Sequence, residues 1–296
     1  MPRLLDIVTP FLLLALSALV HNQARADVTT ATLAMENSAN PLMLIRTSRG
    51  EIYVELFPEA APRNVANFIA LAQAQVPMFD VATGTTVTPN YYDGLSFHRV
   101  LPYTLIQSGS PRQPGAPVPE YQIDDEINAT QLGLDQIKVL DETGSPNALL
   151  NLQDNEDFQQ EILVPLYRQM GITSPEMLES RQGAVLSALR ELTLQRAYEN
   201  QGYRYNNRLP SRQPLRGSLA MAGSGPNTNQ AEFFITTIDT PWLAGKSTVI
   251  GQVVEGMDIV DRINQSAVMR GNSTTPTANS GTMIFDIRQI NQNALQ

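Results

Sequence analysis

Hydrophobic positions recur with two different periods along the chain, and the alternation between them divides it into elements. Ile52, Val54 and Leu56 alternate with Glu51, Tyr53 and Glu55, the period-two pattern of a half-buried strand. With the apolar run from Pro41 to Thr47 they predict a hairpin turning at Ser48-Arg49-Gly50. A helix is predicted next, with Pro62 in its first turn and Val65, Phe68, Ile69 and Ala72 on one face. Gln73 to Asn90 carries neither period and reads as a loop. The run Phe97 to Gly109, FHRVLPYTLIQSG, predicts two short strands meeting at Pro102-Tyr103. A second strand pair is predicted in 216–236, where Leu219 to Ala222 enters a Gly223-Ser224-Gly225-Pro226-Asn227 turn and Phe233-Phe234-Ile235 leaves it. Thr248 to Val254, Met257 to Asn264 and Thr282 to Ile290 then read as strand, helix and closing strand, with 267–281 as a mobile loop before the last.

Helical periodicity returns in 133–206. One helix is predicted from about Asp154 to Met170, with Pro165 as a kink and Gly171 as its stop. A second begins at Thr173-Ser174-Pro175-Glu176, where a capping box overlaps a first-turn proline, and continues through Leu178, Val185, Leu186, Leu189 and Leu192 to Gly202. Two amphipathic helices with a short link suggest a helical hairpin.

At the N-terminus Arg3, the apolar core Phe11 to Val20 and Ala24-Arg25-Ala26 fit a secretory signal peptide over 1–26. The apolar run is too short for a permanent membrane anchor. Residues 27–40, polar and small, are expected as a flexible lead-in, and 291–296 as a tail.

Composition narrows the chemistry. The chain is 42% hydrophobic and 17% charged, a globular balance, and its net charge of −9 disfavours nucleic acid and anionic membranes as partners. It has no cysteine, which excludes disulfides and thiolate chemistry. Of its two histidines, His21 lies in the leader, so a histidine-rich metal site is excluded; a serine triad would have to use His98, which is committed to the strand beside Arg99 with no serine-elbow motif to pair with it. No metal and no cofactor is expected. Arg99 stands out as a permanent cation in an apolar strand, which calls for a partner or a task.

Taken together, Phe97-His98-Arg99 with Gln107, the Met221 to Phe234 stretch, Thr240-Pro241-Trp242-Leu243-Ala244-Gly245-Lys246 and Val253 to Val260 resemble the cyclophilin family of peptidyl-prolyl isomerases. Several motifs in family order are a far stronger signal than one. The resemblance implies an eight-stranded antiparallel β-barrel capped by two helices, spanning 41–290 and interrupted by a helical insertion at 133–206.

It also implies a site. Arg99 takes the place of the catalytic arginine and Gln107 that of the glutamine that binds substrate backbone and orients it. Leu105, Phe234 and Leu243 map onto the proline pocket, with Phe97, Thr104, Ala222, Gly223, Glu232, Trp242 and Ser247 along the same groove. Each has a plain reading as well: Phe234 and Leu243 as core, Gln107 as a strand-edge hydrogen-bonder, Trp242 as a loop anchor. His98 is read as structural. The family carries phenylalanine at the position of Thr104, often a large residue at Ser247, asparagine at Gly223 and glutamine at Glu232, which here is expected to pair with Arg99.

Two functions follow. One is an exported isomerase, periplasmic or secreted, acting on Xaa-Pro bonds of proline-containing unfolded or extended polypeptides. The other is a non-catalytic peptide-binding module or chaperone with 133–206 as its client-binding arm.

Overall fold

The computed structural model describes residues 26–111, 116–268 and 281–291. The leader expected over 1–26 lies outside them except for its last residue, Ala26, as do most of the 267–281 loop and the tail from 292.

Residues 27–40, expected as a flexible lead-in, contain helix α1 (Val28–Ala34). Val and Thr make this a poor helix by propensity. Asp27 compensates by accepting from the Thr29 and Thr30 amides. Ala31 is buried against Leu42, Leu44 and Tyr53.

Strands β1 (Leu42–Thr47) and β2 (Gly50–Leu56) form the expected hairpin, and helix α2 (Pro62–Ala72) follows with Val65, Phe68, Leu71 and Ala72 buried. No side chain caps α2 from its own N-cap; instead Glu126, far along the chain, accepts from the Arg63 and Asn64 amides. The stretch 73–90 is not only loop: β3 (Met78–Asp80) pairs with β4 (Thr85–Val87) in a small hairpin.

Strands β5 (Arg99–Leu101) and β6 (Leu105–Ser108) come next, and Tyr103 at their corner has φ +58. Its amide is fixed by Asn264 Oδ1 at 2.7 Å.

In 133–206 the first predicted helix is continuous but mixed: α3 (Asn155–Phe158), a π-helical turn (Gln159–Leu163) and α4 (Val164–Gln169). Pro165, which lacks an N–H to donate, is accommodated by this wide turn rather than by a break. The second predicted helix is broken into three, α5 (Pro175–Ser180), α6 (Gln182–Glu191) and α7 (Leu194–Gln201). Leu192 is extended, and Thr193 caps α7 through the Arg196 amide.

Strands β7 (Ser218–Met221), β8 (Phe233–Thr236) and β9 (Val249–Glu255), helix α8 (Met257–Val268) and strand β10 (Ile284–Gln289) complete the chain. The strands other than β3 and β4 make one eight-stranded antiparallel sheet in the order β10-β1-β2-β9-β7-β8-β6-β5. The sheet curls around one apolar core, where Met43, Ile52, Phe97, Ile106, Phe233 and Ile250 meet Phe68 of α2 and Ile263 of α8. At one end of that order, Ile284 of β10 donates to the carbonyl of Leu95, in the segment leading into β5, at 2.7 Å, and Gly94 donates to the Ile284 carbonyl at 2.9 Å.

A second core lies outside the sheet. Leu132, Leu134, Ile162, Leu166, Leu189, Leu194 and Tyr198 bury one another together with Ala244, which belongs to the loop between β8 and β9.

Candidate active site

Strand parity creates the site. Ile106, Phe233, Ile235, Leu219 and Ile250 point into the core, so their neighbours Leu105, Phe234, Ala220 and Val249 point out of it. These four form an outward apolar cluster on which Leu101, Ala222 and Leu243 pack. Gln107 stands opposite Arg99 in the β5–β6 ladder and opposite Phe234 in the β6–β8 ladder. Register alone therefore places a cation, an amide and an aromatic ring side by side.

Arg99 is exposed, and its Nη1 donates to Gln107 Oε1 at 2.8 Å. Gln107 is buried, with 9% of its surface exposed, and its Nε2 donates to Glu232 Oε2 at 2.6 Å. The expected Arg99–Glu232 pairing is thus replaced by a relay with Gln107 between them. His98 Nε2 lies 3.6 Å from the same carboxylate oxygen. Burial pushes Glu232 up, but hydrogen bonds from His98 and Gln107 outweigh it, and its carboxyl lies below the ordinary carboxylate range.

The remaining expected residues divide. Ala222 and Leu243 reach the apolar cluster, while Trp242, in the 3₁₀ turn Pro241–Leu243, and Ser247 are half-buried on the loop that borders it. Gly223 is exposed at the start of the 223–229 turn; a Cβ there would stand 2.7 Å from Thr228 Oγ1. Thr104 is half-buried, its hydroxyl donating to the Pro102 carbonyl at 3.3 Å. Tyr103 is 67% exposed and does not make up for the smaller Thr104 side chain.

Phe97 requires a correction. It is fully buried in the inner core, its ring 6.4 Å from that of Phe233, and contributes nothing to the outer face. Counting by twos from Arg99 puts it on the groove side, but regular strand begins only at Arg99, so the parity does not carry back.

Sequence reasoning missed Ala220, Val249 and Leu101 as groove floor. Period two was the available signal, since Ala220 precedes Ala222 and Val249 precedes the inward Ile250. Nor did sequence reasoning name the 240–247 loop as what 133–206 braces. Tyr205 donates to the Gly245 carbonyl at 3.0 Å, and Lys246 Nζ lies 4.9 Å over the Tyr198 ring and 3.9 Å from Glu161. Burial pulls the Lys246 ammonium below its usual range, with Glu161 opposing. The other rim of the groove is tied in as well: Asn227 Nδ2 donates to the Gly202 carbonyl. The Asn227 amide and Asn229 Nδ2 donate to the Asp125 carboxylate.

Among the described residues no group of three or more His, Cys, Asp or Glu is placed to hold a metal ion. None of the described helices is long and apolar enough to cross a membrane.

The structure thus sets an outward apolar cluster beside an arginine–glutamine pair. The sequence matches the family described as "Cyclophilin type peptidyl-prolyl cis-trans isomerase/CLD" over residues 42–284, and the chain belongs to that family. Among its relatives, peptidyl-prolyl cis-trans isomerase B of Streptomyces anulatus is 27% identical over 221 residues, which cover 74% of this chain and 81% of that protein. Peptidyl-prolyl cis-trans isomerase ppi1 of Schizosaccharomyces pombe is 27% identical over 222 residues, covering 74% and 82%. A cyclophilin-type isomerase of Cryptosporidium parvum, solved in the presence of the dipeptide Ala-Pro, aligns with a TM-score of 0.45 at 20% identity, over 85% of this chain and 99% of that one.

Proposed function

We propose that this cyclophilin-type isomerase acts on Xaa-Pro bonds of unfolded or extended polypeptides that are exported with it, in the periplasm or outside the cell. The export part is supported by the leader-like pattern of residues 1–26. The catalytic part is carried by one observation: Arg99, bonded to Gln107, stands beside the outward cluster of Leu105, Phe234 and Leu243.

Rotation about an Xaa-Pro bond is slow because resonance gives the C–N bond double-bond character. The reaction needs no nucleophile and no metal. It needs the proline ring held, the preceding carbonyl held, and the nitrogen lone pair withdrawn from resonance. The apolar cluster suits the ring. A guanidinium donating to the prolyl nitrogen localises its lone pair in the twisted state, and Gln107 limits how far that guanidinium swings. The same reading takes the sheet as a closed barrel, supported by the hydrogen bonds between residues 94–97 and residues 282–284, and 133–206 as a helical insertion.

A charge-assisted hydrogen bond made in the transition state contributes about 1.5–3 kcal/mol, so Arg99→Ala should cost roughly one to two orders of magnitude in kcat/KM. The assay is cis-trans isomerisation of a short Xaa-Pro peptide by wild type and variant, side by side. A wild-type rate equal to the uncatalysed one refutes the proposal.

A second reading, a peptide-binding module with 133–206 as its arm, is favoured by one feature. Leu163, Tyr167, Pro175, Leu178, Val185 and Leu186 border an open apolar trough of about 540 Å³. Retained binding of unfolded clients by an inactive wild type, lost when the trough is altered, would support it.

A further inference from the structure

We propose that Glu232 is a positioning residue, its carboxylate fixing which way the Gln107 amide faces and so where the Arg99 guanidinium stands. The inference rests on the isomerase reading for its catalytic consequence, but its geometry stands apart from it.

A glutamine amide has one end that accepts and one that donates, and the two ends have nearly the same shape. Nothing in the side chain itself prefers one face. Here the two neighbours decide. Arg99 can only donate, so it demands the oxygen, which it meets at 2.8 Å. An ionised carboxylate can only accept, so Glu232 demands the NH₂, which it meets at 2.6 Å. Turning the amide over would set oxygen against carboxylate and NH₂ against guanidinium, two repulsive contacts in place of two attractive ones. Gln107 is buried, so water offers it little alternative. A glutamine at 232 would serve either orientation equally and leave the amide free to turn.

Glu232 must stay ionised for this to hold. The groups that face it are His98 at 3.6 Å, Gln107, and Ser110, with Arg99 beyond Gln107. Tyr91 lies near enough for Glu232 to help raise its phenol, after burial. His98 Nδ1 is buried without a hydrogen-bond partner, which leaves Nε2 and Glu232 as the polar contact of that ring. Glu232 keeps its charge through the ordinary carboxylate range because its carboxyl lies below it. Protonation turns the acceptor oxygen into a potential donor and removes the preference.

The test combines kinetics and side-chain NMR on the full chain, comparing wild type, Glu232→Gln and Glu232→Ala. In wild type, kcat/KM should hold level as pH falls through the ordinary carboxylate range and drop only below it. Glu232→Gln should be several-fold slower, up to about tenfold, with that acid limb gone. The Gln107 NH₂ resonances should follow the Glu232 titration in wild type and lose that dependence in both variants. An acid limb unchanged in Glu232→Gln, or Gln107 resonances indifferent to Glu232, overturns the proposal. If wild type does not catalyse isomerisation at all, the isomerase reading fails, and the NMR titration still decides whether Glu232 sets the amide.

Discussion

Gly245 offers a quantitative test of the link between 133–206 and the groove. It has φ +83, a conformation that costs a residue with a Cβ about 1–2 kcal/mol. A Cβ there would lie 2.4 Å from Leu134 Cδ1 and 3.3 Å from the Tyr198 ring. Leu134 is 2% exposed in the second core, so its methyl cannot simply swing into water. Overpacking of this kind costs about 1–3 kcal/mol. Gly245→Ala should therefore lose about 2–5 kcal/mol in all, the sum of the two ranges. Leu134→Ala alone should lose about 2–5 kcal/mol as a buried leucine cavity. In the double variant the new methyl enters the space the leucine left, so only the backbone cost and part of the cavity remain. The pair should recover about 1–3 kcal/mol relative to additivity, the size of the steric cost. Urea unfolding can be followed through the protein's single tryptophan, Trp242, which sits on the braced loop itself. Additivity within about 0.5 kcal/mol would refute the claim that these two segments are packed as one body.

Two further outcomes are expected. Thr104→Phe should return an aromatic wall beside Leu105 and lower KM for a proline peptide by up to about tenfold, since burying such a ring is worth about 1.5–3 kcal/mol before ordering costs; an unchanged KM would mean the ring points elsewhere. Burial raises the Asp125 carboxyl, against hydrogen bonds from Asn227, Asn229 and Thr248. Its folded form therefore holds a proton that the unfolded chain releases near 3.8, and stability should fall as pH climbs from there to the raised value, then level off. Asp125→Asn should flatten that segment of the stability–pH curve, and a slope that survives the substitution assigns it to another group.

Much of the site was legible because it is written in strand parity and motif order. Arg99, Gln107, Phe234 and Leu243 could be placed from FHR, the Phe233-Phe234 strand and the Trp242 loop. Phe97 was misplaced because parity holds only inside regular strand, and the chain before Arg99 is not one. Helix α1 escaped notice because Val28-Thr29-Thr30 argues against helix, and only packing of Ala31 and the Asp27 cap overrides it. The break between α6 and α7 was hidden by Leu189 and Leu192, which keep helical spacing across it; Leu192 instead turns extended, and the bonds from Val139 N–H to the Leu192 carbonyl and from Leu194 N–H to the Ile137 carbonyl take over. The Arg99–Gln107–Glu232 relay was out of reach of pattern because it depends on the register of β5 with β6 and on where Glu232, just before β8, meets them, which the sequence does not print.

The position of β1 bears on how the protein is made. It lies between β2, its neighbour in sequence, and β10, near the other end of the chain; Arg46 and Asp286, ion-paired across that second seam, are 240 residues apart. At about 5–20 residues per second, a ribosome takes on the order of 10–50 s to travel that distance. Until β10 is made, the apolar strand Leu42–Thr47 can find its native partner at one edge only, and the other edge is a template for pairing with other nascent chains. A member of a family of peptidyl-prolyl isomerases thus has, during its own synthesis, an edge that needs guarding.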